Sequence, residues 1–262
     1  MAREKNYTLG AGKLFFDRFD VAGLSTGELY IGNTTSLTYS TDEERQEHFS
    51  SDEKARDKDA SVVIRSDNAI GFTTDDIQPA NLAMIVKGEA ETLVTIAAMN
   101  QTQNITVRKG RWYQIGASGA NPTGVRAITL DSLTDDAMVP VAVPGGNGGV
   151  NYEVDLALGR LFIKEDAPNV VDGDILIITY DVTASSRTIV ISAGDTIRGS
   201  MRYVADNTQG ENLDHYWPLV ELSPDGDYEF KGDDWSEMSF SGEVLKSGTL
   251  AKHYIDGRAV AP

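Results

Sequence analysis

Short apolar stretches separated by polar and glycine-rich turns recur along this chain, and most have the two-residue period of a β-strand. The clearest alternation runs from Ser236 to Leu245. Its apolar positions are Met238, Phe240, Gly242 and Val244, and its polar positions are Glu237, Ser239, Ser241 and Glu243. Such a strand puts one face on a core and the other in water, as antiparallel sheets allow. The pattern predicts an all-β chain of antiparallel strands, arranged as a sandwich or a partly open barrel.

An almost wholly polar segment, residues 41–59, separates two strand-like runs, Leu37–Ser40 and Ser61–Arg65. Its only large apolar side chain is Phe49. The segment is too long for a tight hairpin turn, which usually takes about two to five residues. We therefore predict a long loop over residues 40–60. A loop without its own core is either solvated or bound to something outside the subunit, and composition alone leaves both possibilities open.

One short helix follows the second strand-like run. Pro79 suits the first helical position, where its missing N–H costs nothing, and Gly88 suits the position just past the end. These signals predict a helix over Pro79–Val86 that packs through Leu82, Ile85 and Val86. A helix this short is marginal alone, so it has to be held against the sheet.

The middle of the chain, residues 109–191, contains further short strands and glycine-rich turns. We interpret this region as a β insertion that divides a core formed by residues 1–108 and 192–262. Asp172 and Asp174 flank Gly173 and are a possible calcium-binding pair. A glycine-centred turn between strands is the favoured interpretation of the same residues.

Composition narrows the function classes. The 262 residues are 40% apolar and carry a formal net charge of −17, which disfavours a nucleic-acid-binding surface and suits a surface that repels DNA. Cysteine is absent, the three histidines lack ligand spacing, and no catalytic motif is found, so we expect no cofactor, metal or enzymatic activity. No apolar run is long enough to span a membrane, and the first residues lack a signal-peptide core, which predicts a product that stays in the cytoplasm where it is made.

Two blocks of the sequence resemble the major tail tube proteins of long-tailed bacteriophages. The first block comprises His48–Ser51, Lys58–Asp59 and Phe72–Ala83. The second, more specific block comprises Tyr216–Pro218, Leu222–Gly226, Gly232–Trp235 and Gly242–Leu245. The resemblance implies a virion structural protein, assembled in the host cytoplasm, whose copies form hexameric rings that stack into a tube with an acidic lumen. It also implies contacts with tape-measure, tail terminator and distal-tail proteins, passage of DNA without specific binding, and no membrane partner.

The resemblance assigns roles to two groups of residues. The expected contacts between subunits and rings are Glu43, Glu44, Arg45, Glu47, His48, Phe49, Lys54, Arg56 and Lys58. The expected lumen-facing residues are Glu237, Ser239, Ser241 and Glu243. For that strand, an ordinary outer surface is an equally acceptable interpretation of the alternation.

Two other functions fit parts of the sequence. The first is a tube subunit of a contractile injection or secretion machine, which would share the fold class. The second is a monomeric β-sandwich that binds carbohydrate or calcium, through Trp112 and Tyr113 or through Asp172 and Asp174. Self-association at high concentration distinguishes a tube subunit from such a binding module.

Overall fold

The computed structural model of the chain describes residues 7–51, 54, 56–141 and 149–258. Within them the chain forms antiparallel strands and one helix, α1 (Pro79–Ile85). The strands are β1 (Gly12–Arg18), β2 (Leu29–Tyr30), β3 (Thr34–Phe49), β4 (Lys58–Thr74), β5 (Gly88–Thr95), β6 (Ala98–Thr106), β7 (Arg111–Gln114), β8 (Ile128–Asp135), β9 (Tyr152–Asp155), β10 (Arg160–Ile163), β11 (Ile175–Val182), β12 (Ser185–Ser192), β13 (Ile197–Ala205), β14 (Leu213–Pro224), β15 (Met238–Val244) and β16 (Tyr254–Gly257). The predicted all-β class with one short helix is confirmed.

The chain divides into two compact units. The first comprises Met1–Glu91 and Ile189–Pro262, and the second comprises Thr92–Thr188. The predicted insertion began at residue 109, whereas the second unit begins earlier because β6 pairs with β11 in one of its sheets. Strands β5 and β12 pair with each other and contain the points where the chain leaves the first unit and returns to it.

The first unit is organised around one sheet in the order β2-β1-β13-β14-β15-β4-β3, with β16 paired to β14. The sheet curls, so that the ring of Tyr39 on β3 lies 6.2 Å from the ring of Trp217 on β14, although two strands separate them in the sheet. No ladder joins β3 to β2 within the described residues, so the barrel stays open. Its inner face carries a core that includes Leu14, Phe72 and Phe240.

Helix α1 covers this core. Pro79 starts it, as predicted, but it ends at Ile85 rather than Val86. The positive φ of 48° after the helix belongs to Lys87, and Gly88 already begins β5, so the predicted glycine terminator is wrong. The buried residues are Asn81, Ala83 and Met84, while Leu82 and Ile85 are half-buried against the core. The Asn81 amide fixes the helix by donating to Ile31 O at 2.7 Å.

The second unit has two three-stranded sheets, β7-β10-β9 and β6-β11-β8. Both sheets contribute to one core, Leu161 and Ile163 from β10 and Leu176 and Ile178 from β11, so the unit is a small sandwich. Asp172 and Asp174 lie in the turn before β11. Asp172 accepts from Lys109 N at 2.9 Å, and Asp174 accepts from Val171 N at 2.7 Å, which favours their interpretation as turn residues.

Candidate assembly interface

A long two-stranded hairpin extends from the curled sheet. Strand β4 pairs with β15 only over Ala69–Thr74, whereas it pairs with β3 over nearly its whole length, from Lys58 to Thr74. Beyond the Thr41–Asn68 pair, β3 and β4 form no ladder with any other described strand. We call this distal part, residues 42–67, the ribbon. The predicted loop over residues 40–60 is therefore corrected: strand structure continues to Phe49 and resumes at Lys58.

The sequence-predicted contact residues all lie on or at the tip of the ribbon. Strand β3 carries Glu43, Glu44, Arg45, Glu47, His48 and Phe49, and β4 begins with Lys58. Lys54 and Arg56 lie in the connection between the two strands, where Asp52, Glu53 and Ala55 are outside the described residues. In the hairpin the predicted contact residues on β3 lie opposite residues of β4. The predicted loop did not include this pairing.

Ion pairs line the ribbon surface. Arg45 pairs with Glu43 at 2.6 Å, His48 with Asp59 at 2.6 Å, and Lys58 with Glu47 across the two strands. Each partner is well exposed, and such pairs contribute only about 0–1 kcal/mol. They favour the strand pairing but do not replace a core.

The same ribbon carries large apolar side chains that are exposed to solvent. Val62 is 62% exposed, Val63 40%, Ile64 57% and Phe49 48%. Pairing places Val63 opposite Arg45 and Val62 opposite Gln46, and a bulge beside them accommodates Ile64. Val62 and Val63 thus point to opposite faces, and neither face has a core. The sequence predicted the Ser61–Arg65 strand but not this exposure, because the partner strand is known only from the structure.

Open backbone edges run along both ribbon strands. Within the described residues β3 pairs with β4 alone, and β4 has no second partner from Lys58 to Asn68. A row of unpaired N–H and C=O groups is a template for another strand, and native proteins usually cover or interrupt it. An isolated two-stranded hairpin is also only marginally stable in water. The ribbon therefore combines open backbone edges with exposed apolar side chains.

An aromatic cluster lies at the root of the ribbon. The Trp217 and His253 rings stack with centroids 4.8 Å apart, and the Tyr39 ring lies 5.1 Å from His253. His215 Nδ1 is 3.0 Å from His253 Nε2, so one imidazole donates to the other. Asn68 donates to the Tyr39 hydroxyl from the opposite strand. The cluster thus joins His215 and Trp217 of β14, and His253 just before β16, to Tyr39 of β3 at the base of the ribbon.

The surroundings of the two histidines lower the pKa of both below the ordinary histidine value. Burial lowers the pKa of His215, and Asp214 partly opposes this by raising it. Burial also lowers the pKa of His253, and the neighbouring His215 lowers it further. Two imidazoles in hydrogen-bonding contact cannot both be charged without repulsion. Acid is therefore expected to weaken this root.

The predicted lumen-facing residues lie elsewhere in the first unit. On β15, Ser241 and Glu243 are exposed and Ser239 is half-buried, whereas Met238, Phe240, Gly242 and Val244 are buried, which confirms the alternation. Glu237 precedes the strand and is exposed.

Neighbouring strands extend this polar face. The Ser239 hydroxyl lies 3.0 Å from the Thr73 hydroxyl of β4, and Ser241 pairs with Ser223 of β14. Glu243 stands opposite Glu221, whose carboxylate accepts from Arg198 Nε at 2.8 Å. Hydroxyls and carboxylates therefore predominate among these residues, and the Arg198 guanidinium is paired with Glu221.

Two further features of the described residues concern metal ligands and membrane spans. Within the described part of the chain, no group of three or more histidine or carboxylate side chains converges as metal ligands. The helix found there is not long and apolar enough to cross a membrane.

Fold and surface together define a class: an open, curled β-sheet protein with a projecting two-stranded ribbon and an inserted sandwich. A family model described as "Protein of unknown function UCP028589" matches residues 7–253, nearly the whole chain. The chain belongs to this family. No curated protein matches the sequence.

Proposed function

We propose that this protein is a self-assembling structural subunit whose copies form stacked hexameric rings, the tail tube of a long-tailed bacteriophage. The observation that carries the proposal is the ribbon, which has two open backbone edges and uncovered Val62, Val63 and Ile64. Strand addition by a neighbouring copy would satisfy both features at once.

The arrangement of strands supports a ring rather than a closed pair. Strand β3 forms one end of the sheet, and at the other end β2 covers only Phe15 and Phe16 of β1. Pairing one end of a sheet with the opposite end of the next is a heterologous contact, which closes into a ring when the rotation per copy permits. The specific number of six subunits comes from the family resemblance.

Charge supports the role of a conduit. The chain has a net charge of −17, and the polar face of β15 presents Ser241 and Glu243 to solvent. If that face lines the lumen, it repels phosphate and lets DNA pass without binding. In this proposal the protein resides in the virion tail and meets tape-measure, terminator and distal-tail proteins at the ends of the tube.

A shortened hairpin tests the proposal. Replacing residues 42–67 with Asn-Gly joins Thr41 to Asn68, which already pair, through a favoured two-residue turn. We expect the full-length protein at high concentration to form rings or tubes in negative-stain micrographs, and the shortened protein to remain monomeric with a similar thermal midpoint. The proposal fails if the full-length chain stays monomeric at every concentration or if the shortened chain still builds tubes.

A further inference from the structure

The second unit contains three neighbouring arginines. Arg126 Nη1 donates to Thr123 O at 2.9 Å and to Leu158 O at 2.8 Å, and Arg187 Nη2 donates to Gly124 O at 2.8 Å. Both side chains are therefore fixed on the same loop. Burial lowers the pKa of Arg126, and the nearby charges of Arg187 and Arg160 lower it further, while the carboxylate of Asp155 partly opposes them. We call Arg126, Arg160 and Arg187 the arginine cluster.

One carboxylate, that of Asp155, lies near the arginine cluster: it stands opposite Arg160 in the β9–β10 pairing and partly offsets the effect of the neighbouring cations on Arg126. Within the described residues, none of its three guanidinium groups forms a salt bridge, whereas Arg198, Arg202 and Arg258 each pair with a carboxylate. The Nη1 atom of Arg187 is buried and has no hydrogen-bond partner. One carboxylate beside three cations leaves a net positive charge, and the buried donor of Arg187 stays unsatisfied, so a further anion at this position would relieve both effects.

An aromatic surface adjoins the arginine cluster. Arg160 lies over the Trp112 ring at 4.9 Å, and the Trp112 and Phe162 rings are 5.1 Å apart on the paired strands β7 and β10. Trp112 is 45% exposed. Cations beside an exposed aromatic face suit a ligand that combines carboxylates with an aromatic ring.

One segment of the first unit has that complementary chemistry. Residues 225–237 connect β14 to β15 and hold a single cation, Lys231, among several carboxylates: Asp225, Asp227, Glu229, Asp233, Asp234 and Glu237. Phe230 is 88% exposed and Trp235 is 93% exposed. Two large aromatic side chains left almost fully in water are typical of an unformed protein contact.

We propose that Asp233, Asp234 and Trp235 of one copy bind the arginine cluster and Trp112 of a second copy. The inference rests on the proposed function, because it names a contact between assembled copies. The carboxylates supply acceptors for the guanidinium groups, and the indole of Trp235 covers that of Trp112. An anionic glycan could satisfy the arginines as well, but it would leave Phe230 and Trp235 in water, so a second copy accounts for both surfaces.

Peptide binding tests the contact apart from assembly. A fluorescently labelled peptide of residues 225–237 is titrated against the full-length chain and followed by anisotropy. We expect saturable binding that Arg160→Gln weakens at least about tenfold, because a desolvated charge pair at the centre of the contact is lost. Arg108→Gln, which removes an exposed arginine outside the cluster, is the matched control and leaves binding unchanged. Equal binding to both variants, or no binding, overturns the inference.

A charge exchange tests the same contact in the assembly. Asp234→Arg is expected to reduce tube formation, and adding Arg160→Asp to the same chain to restore it, with thermal midpoints checked for each variant. If tubes form but the exchange neither impairs nor restores them, the inference fails and the proposed function stands. If the chain never assembles but binds the peptide through Arg160, the proposed function fails and the contact stands. If a heparin oligosaccharide binds through the arginines and the peptide does not bind, the proposed contact between copies is wrong and the arginine cluster is a glycan site.

Discussion

The two halves of the β3–β4 hairpin belong to one strand ladder, but the half near the sheet packs on a core and the distal half does not. Near the sheet, Ile70, Phe72 and Thr74 are buried, and Phe72 stacks on Phe240 with ring centroids 5.0 Å apart. In the ribbon, every described side chain of both strands is exposed. Strand pairing therefore continues well beyond the core that stabilises it. Within the described residues the distal half has no core of its own.

The largest expected difference is in unfolding free energy. Phe72→Ala removes a buried ring from the supported half and should cost about 3–5 kcal/mol, because a cavity is left in the core. Val62→Ala in the ribbon should change the free energy by no more than about 0.5 kcal/mol. Urea denaturation of the monomer measures both. Similar losses from the two substitutions would show that the ribbon has a core of its own.

The next effect concerns assembly rather than folding. The triple change Val62→Thr, Val63→Thr and Ile64→Thr keeps β-branched shapes but removes apolar contact area, so we expect the concentration needed for tube formation to rise about tenfold or more. Sedimentation velocity across a dilution series provides the measurement.

The matched control lies outside the ribbon. Val94→Thr with Ile96→Thr alters two other exposed apolar side chains, 67% and 82% exposed, and should leave the threshold unchanged. If the control raises the threshold as much as the ribbon variant, general surface hydrophobicity and not the ribbon drives association.

A smaller expected effect is a pH dependence of stability caused by the histidine pair at the root of the ribbon. The pKa values of His215 and His253 are lowered on folding, so between pH 8 and 5 the unfolded chain binds more protons. Stability is fully present above the ordinary histidine pKa of about 6.5 and is lost as the pH falls towards the lowered folded values. Thermal midpoints measured across this range should therefore decline on the acid side.

Two variants identify the groups responsible for that decline. His253→Asn should flatten the pH dependence, because it removes one titrating partner of the histidine pair. His48→Gln, in the exposed ribbon, should leave the dependence intact. A decline of unchanged steepness in His253→Asn would place the responsible groups elsewhere.

The smallest expected effect is on the polar face. Ser239→Ala removes a part-buried hydroxyl contact with Thr73 and should cost about 1 kcal/mol, whereas Ser241→Ala, which alters an exposed hydroxyl, should cost close to nothing. Urea denaturation of the two variants measures the difference. Equal costs would mean that Thr73 finds another partner when the Ser239 hydroxyl is removed.

Periodicity predicted the parts of the fold that have one buried face. The alternation around Phe240 was confirmed because a half-buried strand requires it, and Pro79 was confirmed because its ring favours a helix start. The helix end was misplaced because tertiary contacts hold Lys87 in the positive-φ conformation that a glycine would adopt more easily.

The candidate site was predictable in its location but not in its form. Asp42–Glu47 is a run of poor β-formers with no apolar alternation, so nothing local favours a strand there. The pairing with β4 supplies the strand, and pairing between distant residues leaves no signal in a single sequence. For the same reason Val62–Ile64 could not be recognised as uncovered: an apolar run predicts burial unless the partner strand is known to project from the sheet.

Hydrogen–deuterium exchange of residues 42–49 and 58–67, compared between dilute monomer and concentrated assembly, tests most directly whether another copy covers the ribbon. Coverage predicts that these amides exchange rapidly in the monomer and become protected in the assembly, while the amides around Phe72 are protected in both states. Ribbon amides that exchange at the monomer rate within assembled particles would contradict the account.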